Sequence, residues 1–290
     1  MNGILNIDKP AGMTSYDVVG RVRRLAKQKR VGHAGTLDPD ATGVLLVCLG
    51  EATRLAEYLA DAGKEYDALL VLGATTTTED ASGEVVTEAD ANHLNEADVV
   101  RVLPHFIGNI QQIPPMVSAV HHEGKRLYEL ARQGITVERE ARTVRVERIE
   151  LSDFQSGQRP TARLEIACGK GTYIRTLCAD IGATLGVGGH MGSLRRTRVG
   201  DFGVETAIPL DALTEETLGT RLVSPSEAMG NWPAQIASET EQTDIQHGRT
   251  ILTQLADCEI VKITDAQNEL LALARAETGT LRPFKVFSGR

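Results

Sequence analysis

Residues 31–50, VGHAGTLDPDATGVLLVCLG, join a loop rich in glycine and acidic side chains to an apolar run of strand length. The apolar run, residues 44–49, has the aliphatic composition of a buried strand. A loop anchored on a rigid strand is a common way to hold a reactive side chain in a cleft. Here Pro39 restricts the backbone next to Asp38, so the Asp38 carboxylate is presented in one direction. A second interpretation stays open, in which Asp38 and Asp40 only form turns.

The composition is that of a globular protein, with 41% hydrophobic and 24% charged residues in a chain of 290. No apolar run approaches the ~18 residues of a membrane helix, and the N-terminal MNGILNIDKPAG does not read as a signal peptide. We therefore expect a cytoplasmic protein with no membrane partner. The four cysteines form no CxxC pair, which favours reduced core residues over a disulfide framework or a zinc site.

The net charge of −8 disfavours a nucleic-acid partner, but the basic residues are clustered. Six of them lie in residues 21–30, RVRRLAKQKR, and three in residues 194–198, LRRTR. Charge interactions are screened beyond about 10 Å, so a local basic surface can bind phosphates on an acidic protein. Solvated helix faces explain either cluster equally well when it is taken alone.

Hydrophobic periodicity predicts an α+β chain in two parts. The first part is residues 1–222, with helices predicted at 16–28, 51–62 and 174–185 and strands at 2–9, 44–49, 64–73, 143–154, 162–168 and 191–202. A threonine-rich loop is expected at 74–83. Residues 112–140 are predicted to form an exposed insertion with one short helix, and such an arm needs a partner or a substrate. Residues 223–290 are predicted to form a small β-rich unit.

Sequence motifs for common cofactors are missing. The segment 169–172, GKGT, lacks the glycine spacing and the hydroxyl position of a phosphate-binding P-loop. No GxGxxG, HExxH or GxSxG pattern occurs, and only two of the seven histidines are close in sequence. We expect neither a cofactor nor a metal.

Asp38, Tyr66, Tyr173 and Arg175 are the candidate functional residues that remain. An arginine beside an aspartate favours its ionised form, and a carboxylate near a sugar carbon can act as nucleophile or base. Aromatic rings near basic residues suit the stacking of nucleic-acid bases. Taken singly, the two tyrosines also fit half-buried strand positions and Arg175 fits a helix surface. Spacing along the chain does not show whether the four converge.

The sequence resembles the TruB family of bacterial tRNA pseudouridine-55 synthases. The resemblance rests on segments that follow one another along nearly the whole chain: residues 8–15 (DKPAGMTS), 32–43 (GHAGTLDPDATG), 49–53 (LGEAT), 64–66 (KEY), 112–119 (QIPPMVSA), 124–128 (GKRLY), 171–175 (GTYIR) and 194–196 (LRR). It implies the pseudouridine synthase fold, a mixed and mainly antiparallel sheet flanked by helices. It also implies that residues 223–290 form a PUA-like RNA-binding domain and that residues 112–140 clamp RNA.

The resemblance implies a function for each candidate residue. Asp38 matches the catalytic aspartate, Arg175 the arginine that pairs with it, and Tyr173 an active-site tyrosine. Tyr66 matches the tyrosine that stacks on the base, and His33 the histidine that contacts the T-loop in place of the flipped base. The other positions expected to bind RNA are Lys9, Asp80, Leu194, Lys125 and Arg126. One departure is the run of four threonines at residues 75–78, where the family carries a TDT-like sequence.

The implied reaction converts uridine 55 of the tRNA T-loop to pseudouridine without a cofactor. The N1–C1′ bond breaks, the base turns and C5 bonds to C1′, and the uridine must first be flipped out of the loop. Asp38 either attacks covalently or removes the 2′ proton to give a glycal, and the sequence leaves both open.

The expected partner is tRNA, bound through its T-loop and acceptor arm, with no obligatory protein partner. Two other functions stay open. One is a non-catalytic RNA-binding or RNA-folding protein, and the other is a related synthase that depends on a guide RNA.

Overall fold

The computed structural model describes residues 1–118, 120–122 and 124–287. In chain order the strands are β1 (Gly3–Lys9), β2 (Val31–Ala34), β3 (Thr42–Leu49), β4 (Lys64–Leu72), β5 (Ala74–Thr76), β6 (Val85–Glu88), β7 (Gly108–Gln112), β8 (His121–His122), β9 (Lys125–Arg126), β10 (Arg142–Gln155), β11 (Thr161–Cys168), β12 (Gly189–Val199), β13 (Phe202–Gly203), β14 (Ile208–Pro209), β15 (Ala234–Ile236), β16 (Ile251–Leu252), β17 (Cys258–Thr264), β18 (Leu270–Glu277) and β19 (Thr280–Val286).

The α-helices are α1 (Ser15–Ala26), α2 (Ala56–Asp61), α3 (Glu96–Val102), α4 (Leu127–Arg132), α5 (Ile174–Thr184), α6 (Glu215–Leu218), α7 (Pro225–Ala228) and α8 (Glu239–Gln246). Short 3₁₀ turns lie at Gly50–Leu55, Leu103–Phe106, Val204–Thr206, Leu210–Ala212 and Gly219–Arg221. Among the described residues, no helix is long and apolar enough to cross a membrane.

A mixed sheet forms the centre of the first part of the chain. Within the described residues its strand order is β14-β1-β3-β12-β4-β11-β10-β7, with β2 paired to β3 and β13 paired to β12. Most neighbours run antiparallel, whereas β12 and β3, and β1 and β14, run parallel. The predicted mixed, mainly antiparallel α+β fold is confirmed.

The sequence patterns explain the positions of these elements. Strand β3 is apolar from Val44 to Leu49 because it lies between β1 and β12 and is buried on both faces there. Strand β4 alternates buried and half-buried residues, which places Tyr66 on its inner face. Helix α1 begins at a capping box made by Thr14 and Asp17, and ends where Lys27 adopts a left-handed conformation at φ +49°.

Three local predictions were wrong in detail. Residues 31–34, predicted as loop, form β2 because they pair antiparallel with β3. The threonine-rich segment contributes β5, which pairs with β6, so residues 74–76 are not loop. The helix predicted at 51–62 begins as the 3₁₀ turn and becomes α-helical only at Ala56. Each difference arises from pairing or packing with a distant segment, which local periodicity does not report.

The C-terminal part is a five-stranded sheet in the order β15-β17-β18-β19-β16, counted over the described residues. It begins at Ala234, whereas Val223 still bridges to Ile4 of β1. One apolar cluster joins the two sheets: it includes Leu55, Leu59 and Phe202 from the first part and Leu270, Leu273 and Phe287 from the C-terminal part. The two parts of the chain are therefore packed together through a common core.

Candidate active site

The loop between β2 and β3 carries Asp38 and is anchored on both sides of it. On one side, the Ser15 hydroxyl accepts a hydrogen bond from the Leu37 N–H at 2.9 Å and donates to the Leu37 carbonyl at 3.1 Å. On the other side, the Pro39 carbonyl accepts from the Gly12 N–H at 3.0 Å and from Lys9 Nζ at 2.8 Å. The segment 8–15 thus holds the loop of residues 35–41, here called the aspartate loop. The backbone of Asp38 is fixed on both sides.

Arg175, in the first turn of α5, joins Asp38 to two other segments of the chain. Its Nε lies 3.0 Å from Asp38 Oδ2 and its Nη1 lies 3.6 Å from Asp80 Oδ2. The same guanidinium donates to the carbonyls of Thr78 at 3.2 Å and Val117 at 2.8 Å. Arg175 is 4% exposed, so a buried cation is compensated by two carboxylates. The prediction that Arg175 lies beside Asp38 agrees with this geometry.

The electrostatic environment of Asp38 is set by burial and by its charged neighbours. Burial raises the pKa of the Asp38 carboxyl above its ordinary value, and the Arg175 guanidinium opposes that shift. Asp80 and Asp40 raise the same pKa further, whereas Lys9 lowers it. Arg175 therefore offsets the effect of burial only in part. A carboxylate with a raised pKa is a stronger base than an exposed aspartate.

The four candidates Asp38, Tyr66, Tyr173 and Arg175 line one cavity of about 300 Å³. Leu194, another predicted position, lines it too. Other lining residues, which the sequence did not single out as site residues, include Lys64, Ser118 and Arg196. The volume suits a ligand of nucleoside size. The convergence that spacing left open is therefore present in the tertiary structure.

Tyr66 and Arg196 are cross-strand neighbours on β4 and β12. Arg196 is 1% exposed, and its guanidinium donates to the carbonyls of Val44 at 2.7 Å, Gly35 at 3.1 Å and Thr36 at 3.3 Å. Burial raises the pKa of Tyr66, and the charge and hydrogen bond of Arg196 oppose that shift. Arg196 thereby connects the start of the aspartate loop, at Gly35 and Thr36, with the side of the cavity that Tyr66 lines.

Gln112 fixes the backbone of Tyr173, which immediately precedes α5. The Tyr173 N–H donates to Gln112 Oε1 at 3.0 Å, and Gln112 Nε2 donates to the Tyr173 carbonyl at 3.1 Å. Gln112 is buried at the end of β7. In the sequence, Gln112 is visible only as the polar residue that begins the 112–119 segment. Its partner, the backbone of Tyr173, is identified only by the fold.

The remaining predicted positions lie in different surroundings. Lys9 is fully buried, and its ammonium donates to the carbonyls of Pro10, Met13 and Pro39 at 2.7–2.8 Å. Burial lowers the pKa of Lys9 to about 8. Lys9 therefore supports the aspartate loop, and a contact with RNA would require it to leave these carbonyls. Asp80 is held by Thr78 Oγ1 and Ser82 Oγ, each at 2.6 Å.

His33 lies on β2 beside the aspartate loop, outside the set of residues that line the cavity. In the described part of the chain its Nδ1 is buried without a hydrogen-bond partner, and burial lowers its pKa. The side chains of Lys125 and Arg126 lie outside what the structure describes, so their contact with RNA stays a prediction.

The basic clusters are neutralised in part within the protein. In the first cluster, Arg21 pairs with Asp211 at 2.6 Å, Lys27 with Glu215 and Arg30 with Glu51. In the second, Arg195 pairs with Asp8 at 2.9 Å and Arg198 with Glu205 at 3.3 Å, while Arg196 is buried. These segments present less free positive charge than the sequence predicts.

Comparison with known proteins places the fold in a class. Residues 23–174 match the TruB family pseudouridylate synthase N-terminal domain, and residues 175–229 match the tRNA pseudouridylate synthase B C-terminal domain. A chain in the crystal structure of a Cbf5–Nop10–Gar1 complex superposes with a TM-score of 0.75 and 30% identity, over 99% of this chain and 85% of that one. The protein is a pseudouridine synthase, an enzyme of the isomerase class.

The family of the protein is shown by its similarity to two curated relatives. The tRNA pseudouridine synthase B of Symbiobacterium thermophilum is 50% identical over 248 residues, 86% of this chain and 82% of that protein. The tRNA pseudouridine synthase B of Thermobifida fusca is 44% identical over 99% of both chains. The chain belongs to the TruB family.

Proposed function

We propose that this protein isomerises uridine 55 in the T-loop of tRNA to pseudouridine. The tRNA substrate is taken from the names of the relatives that are 44–50% identical to this chain. The observation that carries the chemistry is the Asp38–Arg175 ion pair in a cavity that Tyr66 and Tyr173 also line. The T-loop position follows from the family resemblance.

The cavity suits a flipped uridine. A base inside a folded loop cannot be reached by a carboxylate that lines a cavity, so extrusion costs a few kcal/mol that stacking and pocket contacts must offset. Tyr66 would stack on the extruded ring, and Leu194 would line the apolar side of the cavity. The RNA strand would lie across the mouth, near the insertion that contributes Ser118 to the lining.

Asp38 would act on the ribose once the uridine is in the cavity. Its carboxylate either bonds to the sugar or the base, or removes the 2′ proton to give a glycal. Arg175 would orient the carboxylate through the Nε–Oδ2 contact of 3.0 Å. After C5 has bonded to C1′, the proton at C5 must leave, and Tyr173 is the proposed base. The reaction is an isomerisation without net redox change.

The proposal is tested by tritium release from a tRNA transcript labelled at C5 of uridine, with purified protein and no added cofactor or guide RNA. We expect release from the wild type and none from Asp38→Asn or Asp38→Ala, with nearly unchanged tRNA affinity in both variants. Asp40→Asn is the matched control, because Asp40 is an exposed aspartate in the same loop and its substitution makes the same charge change. Its release rate should stay close to that of the wild type.

Two results would point to the other functions. Tight tRNA binding without tritium release from the wild type would indicate an RNA-folding protein. Release that begins only when a guide RNA is added would indicate a guide-dependent synthase. A transcript that lacks uridine 55 should release no tritium. Undiminished release from that transcript would show that the target is another nucleotide.

A further inference from the structure

Two buried cations line the cavity without a carboxylate partner. Lys64 is 8% exposed and Arg196 is 1% exposed. In the described part of the structure neither forms an ion pair within 4.0 Å, whereas Arg175 in the same cavity pairs with Asp38 and Asp80. The proposed chemistry so far gives Lys64 and Arg196 no part.

The two cationic groups lie close together. A methyl group built on Gly35 would stand 3.6 Å from Arg196 Nη1 and 3.7 Å from Lys64 Cε. Lys64 Nζ donates to the carbonyls of Ala60 at 2.7 Å and Ala62 at 2.8 Å. Carbonyl oxygens satisfy these hydrogen bonds but leave the net charge uncancelled. Burial, followed by the charge of Arg196, lowers the pKa of Lys64 to about 8, while the charge of Asp61, which forms no ion pair with Lys64 within 4.0 Å, opposes that shift. The ammonium is therefore the main form at neutral pH.

Two neighbouring buried charges of one sign are costly unless an anion compensates them. The cavity is therefore built for a ligand that is negatively charged there for at least part of the reaction. An RNA phosphate fits this position poorly, because the backbone stays at the mouth when a base is flipped and both cations are almost inaccessible from outside. The flipped base is the part of the substrate that reaches them, since Arg196 adjoins Tyr66.

We propose that Lys64 and Arg196 stabilise the negative charge that develops on the uracil ring as the N1–C1′ bond breaks, an inference that rests on the proposed isomerase function. The electron pair of that bond leaves with N1 and spreads over O2 and O4 of the ring. C1′ is satisfied by a bond to Asp38 or by transfer of the 2′ proton to Asp38. The uracil anion then forms the C5–C1′ bond, while the Asp38–C1′ bond breaks or, on the glycal route, Asp38 returns its proton to C2′. The C5 proton then leaves and N1 gains a proton.

The test compares two leaving groups in the full-length protein. Transcripts carry either uridine or 5-fluorouridine at the target position. Each is reacted under single-turnover conditions, and the RNA is then digested. Chromatography of the digest measures how much of the N1-linked nucleoside remains. Fluorine withdraws electrons and makes the detached ring a weaker base, so that it needs less stabilisation. We expect Lys64→Met to slow cleavage of uridine by about 10²-fold, as when one preorganised donor is removed, and cleavage of 5-fluorouridine by a clearly smaller factor.

Lys29→Met is the matched control. Lys29 is an exposed lysine outside the residues that line the cavity, and its substitution removes the same charge from the field that attracts RNA. Its effect should be small and equal for both transcripts. If Lys64→Met does not fold, Lys64→Gln is compared instead, since it removes the charge and keeps N–H donors.

Equal losses on both transcripts, or no loss, would overturn the inference. A wild type that cleaves neither transcript would instead overturn the proposed function. An active wild type with a leaving-group-dependent defect in the Lys64 variant supports both.

Discussion

At the scale of single residues, the site depends on Arg175 contacting four groups at once. A planar guanidinium can direct N–H donors toward two carboxylates and two carbonyls, which an ammonium cannot do with the same geometry. These contacts bring together residues 38, 78, 80 and 117, which belong to three separate segments of the chain. The orientation of Asp38 is therefore set by the fold around Arg175 and by the two anchors of its own loop.

The raised pKa of Asp38 predicts how activity depends on pH. Asp38 acts in its ionised form, which is lost as the pH falls through its pKa, so kcat/KM should fall at a higher pH than for an ordinary aspartate of pKa about 3.9. Arg175 and Lys9 lower this pKa, while burial, Asp80 and Asp40 raise it. Asp80→Asn removes one neighbouring negative charge and should move the acid limb of the kcat/KM profile to lower pH. An acid limb that stays in place or moves to higher pH would contradict the assignment of that limb to Asp38.

At the scale of elements, the site is assembled where β3 and β12 pair in parallel. The pairing is short and joins Thr42 to Arg195 and Gly43 to Arg196. Gly43 has φ +98°, and a Cβ there would lie 2.1 Å from the Arg196 carbonyl oxygen. Glycine at this position thus allows the strand that follows the Asp38 loop to approach the strand that carries Arg196.

Gly43→Ala should lower the free energy of unfolding by roughly 3 kcal/mol or more, because it adds a backbone collision to an unfavourable φ. Gly12→Ala is the matched control: Gly12 has φ +79°, but a Cβ there meets nothing within 4 Å. Its cost should be limited to about 1–2 kcal/mol of backbone strain. Urea unfolding of both variants measures the difference, and equal costs would show that the close approach of β3 and β12 does not matter.

At the scale of the whole molecule, the two sheets are held together by apolar and polar contacts. Arg54 donates to the Val286 carbonyl and lies over the Phe287 ring, 5.0 Å from its centroid. Lys285 Nζ donates to the Arg54 carbonyl at 3.0 Å and lies 4.6 Å from the centroid of the Tyr58 ring. The segment that contains Arg54 and helix α2 therefore contacts the C-terminal sheet, and the same segment leads into β4, which begins at Lys64.

The shared core predicts that the two sheets unfold in one transition. Leu273, fully buried in that core, is in the C-terminal sheet, so Leu273→Ala should destabilise the entire chain by about 2–5 kcal/mol. Calorimetry and the temperature at which tritium release stops should then shift together. Leu252→Ala, at a position of the same sheet that is 76% exposed, should change neither. A second transition that leaves activity intact would show that the two parts are independent.

Motifs and local periodicities could be read from the chain alone, because they depend on neighbours a few positions apart. The sequence therefore predicted β3, β4, β11 and α5 closely and identified Asp38 beside Pro39. The pairing of Arg175 with Asp38, 137 positions apart, emerges only from the folded chain. So do the burial of Lys9, the pairing of Arg21 with the distant Asp211, and the shared position of Lys64 and Arg196 in the cavity. Those contacts depend on sheet order and packing, in which each strand selects its partners by the free energy of the whole core.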